Sequence, residues 1–260
     1  DHEGAAVTVK WNATFDWKDV WKGVDKQSVE PKDEESNTTV LGSDLVYTIS
    51  NEHANGEDKG EIWTKYVTFT DTLTLPAELS FVGNNYHYDD TSHSIIDENG
   101  KVLCTLEGNE YYGIGTTDGK PQIIISDVSV SGKELKYKAT IENPNKEGDS
   151  YLREMDHPKI TMTLKGDQIK VTEEFGAENT AKIKNKVDFK AVSVTGDEKT
   201  SSKEVETVVK NNDHPEVVKS ATGKEGQELD SDKNKETKVK AGDEINYTVT
   251  VTNKGKTTLK

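Results

Sequence analysis

The chain has 260 residues, of which 31% are hydrophobic, 7% aromatic and 31% charged, so its polar surface is large for its core and several thin layers fit better than one thick globule. Its 33 basic and 48 acidic residues leave a net charge of −15, a field that repels phosphate backbones and argues against nucleic acid as a partner. No apolar run approaches the roughly 18 residues of a membrane span, so no membrane insertion is expected, and a single cysteine excludes an internal disulfide.

In chain order, "AAVTVKWNATF" at 5–15 alternates like a closing strand, and residues 1–18 are an N-terminal extension or the end of a preceding repeat. "DVWKGVD" at 19–25 puts Val20, Lys22 and Val24 on one face. "GSDLVYTISN" at 42–51 and "KYVTFTDTL" at 65–73 alternate as strands, while "EDKGEIWTKY" at 57–66 has at most a turn or two of helix. An insert spans about 84–120 and carries Tyr86, Tyr88, Tyr111 and Tyr112. Within it Cys104 shares strand parity with Val102 and Leu106, so it reads as a small buried apolar residue. "PQIIISDVSVS", "ELKYKATIEN", "KITMTLKG" and "AKIKNKVDFKAVSV" continue the series up to 194. They are rich in Val, Ile, Thr, Tyr and Phe and are punctuated by Gly, Asn, Asp and Pro. Many strands without intervening helices predict an all-β fold, an antiparallel β-sandwich with Greek-key connections.

An internal repeat organises the rest. "DVWKGVDK" followed by "VLGSDLVYTISN" matches "EVVKSATGK" at 216–224 followed by "VKAGDEINYTVTVTN" at 239–253. Lysine and tyrosine lie 25 residues apart in the first copy, Lys22 to Tyr47, and 28 in the second, Lys219 to Tyr247. The expected domains are therefore a sandwich over 19–213 and the first strands of a second, truncated copy over 214–260.

The glycine-led "GSDLVYTISN", then "VTFTDTLTLPAELSFVGN" at 67–84, then the closing "AKIKNKVDFKAVSV" resemble DUF11-type repeats and the related isopeptide-forming fimbrial, pilin-like domains of bacterial cell-surface adhesins. Nearly the whole chain takes part. The resemblance implies an immunoglobulin-like sandwich, an extracellular location at a cell wall or cell surface, and neighbouring repeats of the same chain as partners. It also implies a self-made amide between a lysine of the first strand and an asparagine of the last.

Residue parity admits that bond in the first copy. Lys22 faces inward with Val20 and Val24, and Asn185 with Ile183, Val187 and Phe189. Burial lowers a lysine pKa and frees its amine as a nucleophile, while a protonated carboxyl beside the asparagine activates the carboxamide. The family's acid follows the glycine, four residues before the tyrosine, which is Asp243 beside Lys219 in the second copy. In the first copy that position is Ser43. Asp44 falls on the outer face unless a bulge re-aims it. Asp71 either serves as the acid or caps the turn before Leu75 and Pro76, and without an acid the first copy is unlinked.

Other constellations are weaker. Asp230, Asp232, Asn234 and Glu236 alternate as in a calcium loop but lack its glycine and distal glutamate, so a solvated loop is expected. His87, Asp89, Asp90 and His93 read as a polar hairpin tip, and no cofactor or metal is expected. Two functions follow: a structural stalk or shaft module, or a ligand-binding adhesin module whose four insert tyrosines present an aromatic surface to a host glycan or extracellular-matrix protein. No acid–base or metal set converges in sequence, so no enzyme is expected beyond self-catalysed amide formation.

Overall fold

The computed structural model describes residues 14–25, 38–52, 62–109, 112–115, 122–142, 157–211, 215–223, 228–229 and 240–253. The chain divides into two compact units that part between Lys210 and Asn211.

The first strands are β1 (Trp21–Asp25), β2 (Thr38–Val40), β3 (Leu45–Ser50), β4 (Thr64–Thr74) and β5 (Leu79–Phe81). Next come β6 (His87–Asp89), β7 (Ser94–Ile96), β8 (Val102–Glu107), β9 (Gly113–Ile114) and β10 (Gln122–Val130). They are followed by β11 (Glu134–Glu142), β12 (Lys159–Leu164), β13 (Ile169–Val171), β14 (Thr180–Ser193) and β15 (Glu198–Lys210). The second unit holds β16 (Pro215–Thr222), β17 (Glu228–Leu229) and β18 (Asn246–Asn253).

Two sheets form the sandwich of the first unit. One has the order β1-β3-β12-β8-β7-β6 and the other β2-β15-β14-β4-β11-β10-β9. Pairing is antiparallel except for β2 with β15 and β9 with β10. The chain crosses between sheets from β3 to β4 and from β11 to β12, which gives the immunoglobulin-like layering expected of the sequence.

Alternation builds the core. In β4 the inward residues Val67, Phe69, Asp71 and Leu73 are buried while the threonines between them are half-exposed, as a strand with one wet face requires. Phe69 pairs directly with Phe189 of β14, their rings 5.2 Å apart, and Trp17 stacks on Phe189 at 5.5 Å. The Trp17 indole N–H donates to Thr64 Oγ1 at 3.1 Å, so this large buried ring leaves no donor unpaired.

Three expectations need correction. Thr64, Lys65 and Tyr66 lie in β4 rather than in a helical turn; β-branched and aromatic neighbours over eleven residues outweigh the short helical pattern. Most of the 84–120 stretch is not an appendage, because β6, β7 and β8 extend the first sheet and bury Ile95, Leu103, Cys104 and Leu106. The acid position after the glycine does not face the core. Ser43 and Asp44 are both exposed, in a turn where Gly42 takes φ 95°. Asp44 instead ties that turn to the chain after β12, accepting from Gly166 N and Lys165 Nζ, both at 2.9 Å.

The second unit repeats the first at the level of register. Lys22 pairs with Ile49, two residues beyond Tyr47, and Lys219 pairs with Val249, two residues beyond Tyr247. The preceding turns agree too: Gly242 has φ 97°, and Asp243 N bonds Lys240 O at 3.0 Å as Ser43 N bonds Val40 O at 3.0 Å. Val217, Tyr247, Val249 and Val251 are each more than half exposed.

Candidate functional site

β1 and β14 belong to opposite sheets, and their inward faces meet across the core. Trp21 is exposed while Val20, Lys22 and Val24 are buried, so alternation alone drives the Lys22 ammonium inward. On β14 the same parity buries Ile183, Asn185, Val187 and Phe189. Lys22 is 2% exposed, and Asp71 and Asn185 are 0% exposed.

Asp71 of β4 is the hinge between the other two. Its Oδ1 accepts from Lys22 Nζ at 2.5 Å, and its Oδ2 accepts from Asn185 Nδ2 at 3.5 Å. Asp71 therefore sits mid-strand in the core, and the turn-capping assignment is incorrect. The strand ladder explains the geometry: Val187 lies directly opposite Asp71, so Asn185 is the next inward residue along β14 and reaches Asp71 diagonally.

Burial works against the charge on Lys22. Desolvation pushes the Lys22 pKa down, and the charge and hydrogen bond of Asp71 only partly oppose it. The Lys22 ammonium also lies over the Tyr47 ring, 5.6 Å from its centroid, a cation–π contact that holds the side chain against β3. The Tyr47 hydroxyl bonds Thr207 Oγ1 at 3.2 Å.

The Asn185 Oδ1 carbonyl makes no hydrogen bond among the described residues, and the Tyr137 hydroxyl has no more than a weak one, to Asp71. Carboxamide oxygen and nitrogen are interchangeable by a half-turn of the side chain. The turned form would place the oxygen toward Asp71 Oδ2 and would need a proton between them. A protonated Asp71 supplies it, and a neutral Lys22 amine is its complement. The cluster can thus hold a free amine, a neutral acid and a polarised carboxamide together in a dry core.

The remaining sequence-derived residues lie elsewhere. Asp44 is on the surface with Lys165. In the second unit Lys219 stands over the Tyr247 ring at 4.7 Å, while Asp243 is exposed and its Oδ2 accepts from Lys240 N at 2.9 Å. Asp243 is thus a turn cap in this structure. The aromatic surface is also corrected: Tyr112 is buried, Tyr86 is half-buried against Phe81, and its oxygen accepts from Gly83 N at 2.7 Å. Tyr88 is half-buried, its hydroxyl 3.5 Å from His93 Nδ1. These rings pack on the sheet extension because β6 to β8 are strands rather than a projecting loop. Tyr111 and the acidic loop at 230–236 lie outside the described residues.

Cys104 is a buried free thiol, its pKa pushed up to about 12 by desolvation. Among the described residues no cluster of three or more His, Cys, Asp or Glu could hold a metal ion, and no helix is long and apolar enough to cross a membrane.

Tyr137 was not singled out in the sequence. The signal was present in "ELKYKATIEN", where Tyr137 has the inward parity of Leu135 and Ala139, on the strand that pairs with β4.

No protein-family model and no curated protein matches the chain. Among solved structures it is similar to the full-length major pilin SpaD of Corynebacterium diphtheriae, with 17% identity and a TM-score of 0.35 over 81% of this chain and 39% of that one. It is also similar to the T6 backbone pilin of serotype M6 Streptococcus pyogenes, with 14% identity and a TM-score of 0.32 over 92% of this chain and 44% of that one. The collagen-binding subdomain ACE19 of the Enterococcus faecalis surface protein ACE gives 12% identity and a TM-score of 0.26 over 75% of this chain and 99% of that one. The chain spans less than half the length of either pilin.

Proposed function

We propose that the first unit is a self-crosslinking shaft module of a bacterial cell-surface protein, in which Lys22 and Asn185 become joined by an amide. The observation that carries this is the buried set of Lys22, Asp71 and Asn185, drawn from both sheets and centred on one carboxyl. The sequence pattern, which resembles isopeptide-forming fimbrial domains, supports the same reading.

The chemistry balances without a cofactor. Lys22 passes a proton to Asp71, and its neutral Nζ attacks Asn185 Cγ. The Nζ–Cγ bond forms, the Cγ–Nδ2 bond breaks, and a second proton from Nζ reaches Nδ2 through Asp71, so that ammonia leaves. Asp71 ends protonated, holding the proton that Lys22 first gave up. Water exclusion favours each step, because a dry site stabilises the neutral amine and acid over the ion pair.

The bond would staple β1 to β14, closing a loop of 163 residues (185 − 22). A cross-link of that span stabilises by about 5 kcal/mol on the chain-entropy estimate, and unlike a disulfide it is indifferent to reduction. That property suits a module exposed outside the cell to force and proteases, with neighbouring repeats as its partners and no turnover chemistry of its own. The test is intact mass. Wild-type protein should be lighter than its sequence by one ammonia, and Lys22→Ala should restore the sequence mass; a wild-type mass equal to the sequence mass removes the amide.

A further inference from the structure

Asp71 has neighbours from every strand around it. Lys22 faces it from β1, Tyr47 from β3, Cys104 from β8 and Tyr137 from β11, while β14 brings the non-titrating Asn185. Burial raises the pKa of Tyr47, Cys104 and Tyr137 and holds all three neutral. Lys22 is therefore the one cation in this set. Amide formation would remove its charge and two of its three donors, leaving the buried carboxyl short of partners.

One of the remaining donors lies beside the carboxyl itself. The Tyr47 hydroxyl is engaged with Thr207, and the Cys104 thiol, whose sulfur accepts from the Ile95 backbone N–H, is only a weak donor. Tyr137 stands directly opposite Asp71 in the β4–β11 ladder, on the side away from β14. Its ring is fully buried, and its hydroxyl, which makes no hydrogen bond of full geometry among the described residues, lies near enough to Asp71 for the carboxyl's charge and a weak hydrogen bond to push its pKa further up. A buried hydroxyl so poorly paired is costly, and a Phe at this place would avoid that cost.

We infer that Tyr137 is a positioning residue for the amide-forming carboxyl, its hydroxyl donating to Asp71 as Lys22 loses its charge. The inference rests on the Lys22–Asn185 amide. In the linked state Asp71 donates its proton to Asn185 Oδ1, and its other oxygen accepts from the new amide N–H and from Tyr137. Asn185 Oδ1, unpaired in the unlinked cluster, and the weakly paired Tyr137 hydroxyl then each have a full partner.

The experiment uses the full chain, translated in vitro, trapped in urea and released into neutral buffer, with the ammonia-deficient fraction followed by intact mass. Tyr137→Phe should lose ammonia more slowly than wild type. A second measurement compares melting temperatures: the substitution should lower that of the linked protein, yet leave unchanged or raise that of Asn185→Ala, in which Lys22 keeps its charge and remains the main donor to Asp71. An unchanged rate, or the same melting shift in both backgrounds, removes the role of Tyr137 and leaves the amide standing. A wild-type chain that never loses ammonia removes the amide and this inference together, and shows it before any variant is made.

Discussion

Lys22, Asp71 and Asn185 are buried in this core, and each is there because strand parity points it inward. Removing one member of a buried ion pair strands the other charge, at about 3–5 kcal/mol. Asp71→Ala should therefore lower the melting temperature sharply and abolish ammonia loss; a variant that still loses ammonia would show that another group moves the protons. Asp44 offers a surface contrast. Its desolvation is outweighed by the hydrogen bonds from Gly166 and Lys165 and by the Lys165 charge, so its pKa is lowered. A carboxyl with a lowered folded pKa contributes stability above its unfolded pKa and loses it as pH falls through the folded one. Asp44→Asn should thus lower the melting temperature near neutrality, with the deficit closing below the ordinary carboxylate range; a deficit that persists in acid would mean the charge is irrelevant. The inward positions of Lys22 and Asn185 were legible from alternation alone. The surroundings of Asp71 were not, because a carboxylate before a Leu-Pro turn looks the same in sequence whether it caps the turn or faces across the sandwich.

At the scale of elements, strand existence was legible and strand company was not. β4, β10, β11, β12 and β14 announce themselves by period-two alternation, whereas β6, β7 and β9 have three or two residues each, too few for a period to register. Their neighbours made the stretch resemble a polar insert, and the tyrosines within it an exposed platform. The turn at Gly42, before β3, was misjudged for a related reason: its Asp44 side chain is aimed by tertiary contact with Gly166, far away in sequence. A Cβ on Gly166 would meet Ser43 O at 2.3 Å and Gly42 O at 2.4 Å, both backbone atoms that cannot swing aside. Gly166→Ala should consequently destabilise the first unit by about 1–3 kcal/mol, measured by urea unfolding. An unchanged midpoint would mean the two loops separate at little cost.

For the molecule as a whole, the two units differ in what they bury. The first closes two sheets on each other and contains Lys22, Asp71 and Asn185, so residues 1–210 made alone should fold, melt cooperatively and lose one ammonia. Failure to fold would contradict the division between Lys210 and Asn211. The matching segments were legible, and β1–β3 and β16–β18 share the same Lys-to-Tyr register. The buried partner of Lys22 was legible only as one alternative, since the carboxyl beside it comes from β4 rather than from the turn after the glycine. The central claim is that one covalent bond joins the two sheets, and peptide mapping of the proteolysed wild-type protein tests it most directly. The account predicts a branched peptide in which the segment holding Lys22 is joined to the segment holding Asn185, lighter by one ammonia than the two together. Recovery of both segments only as separate linear peptides of sequence mass would contradict it.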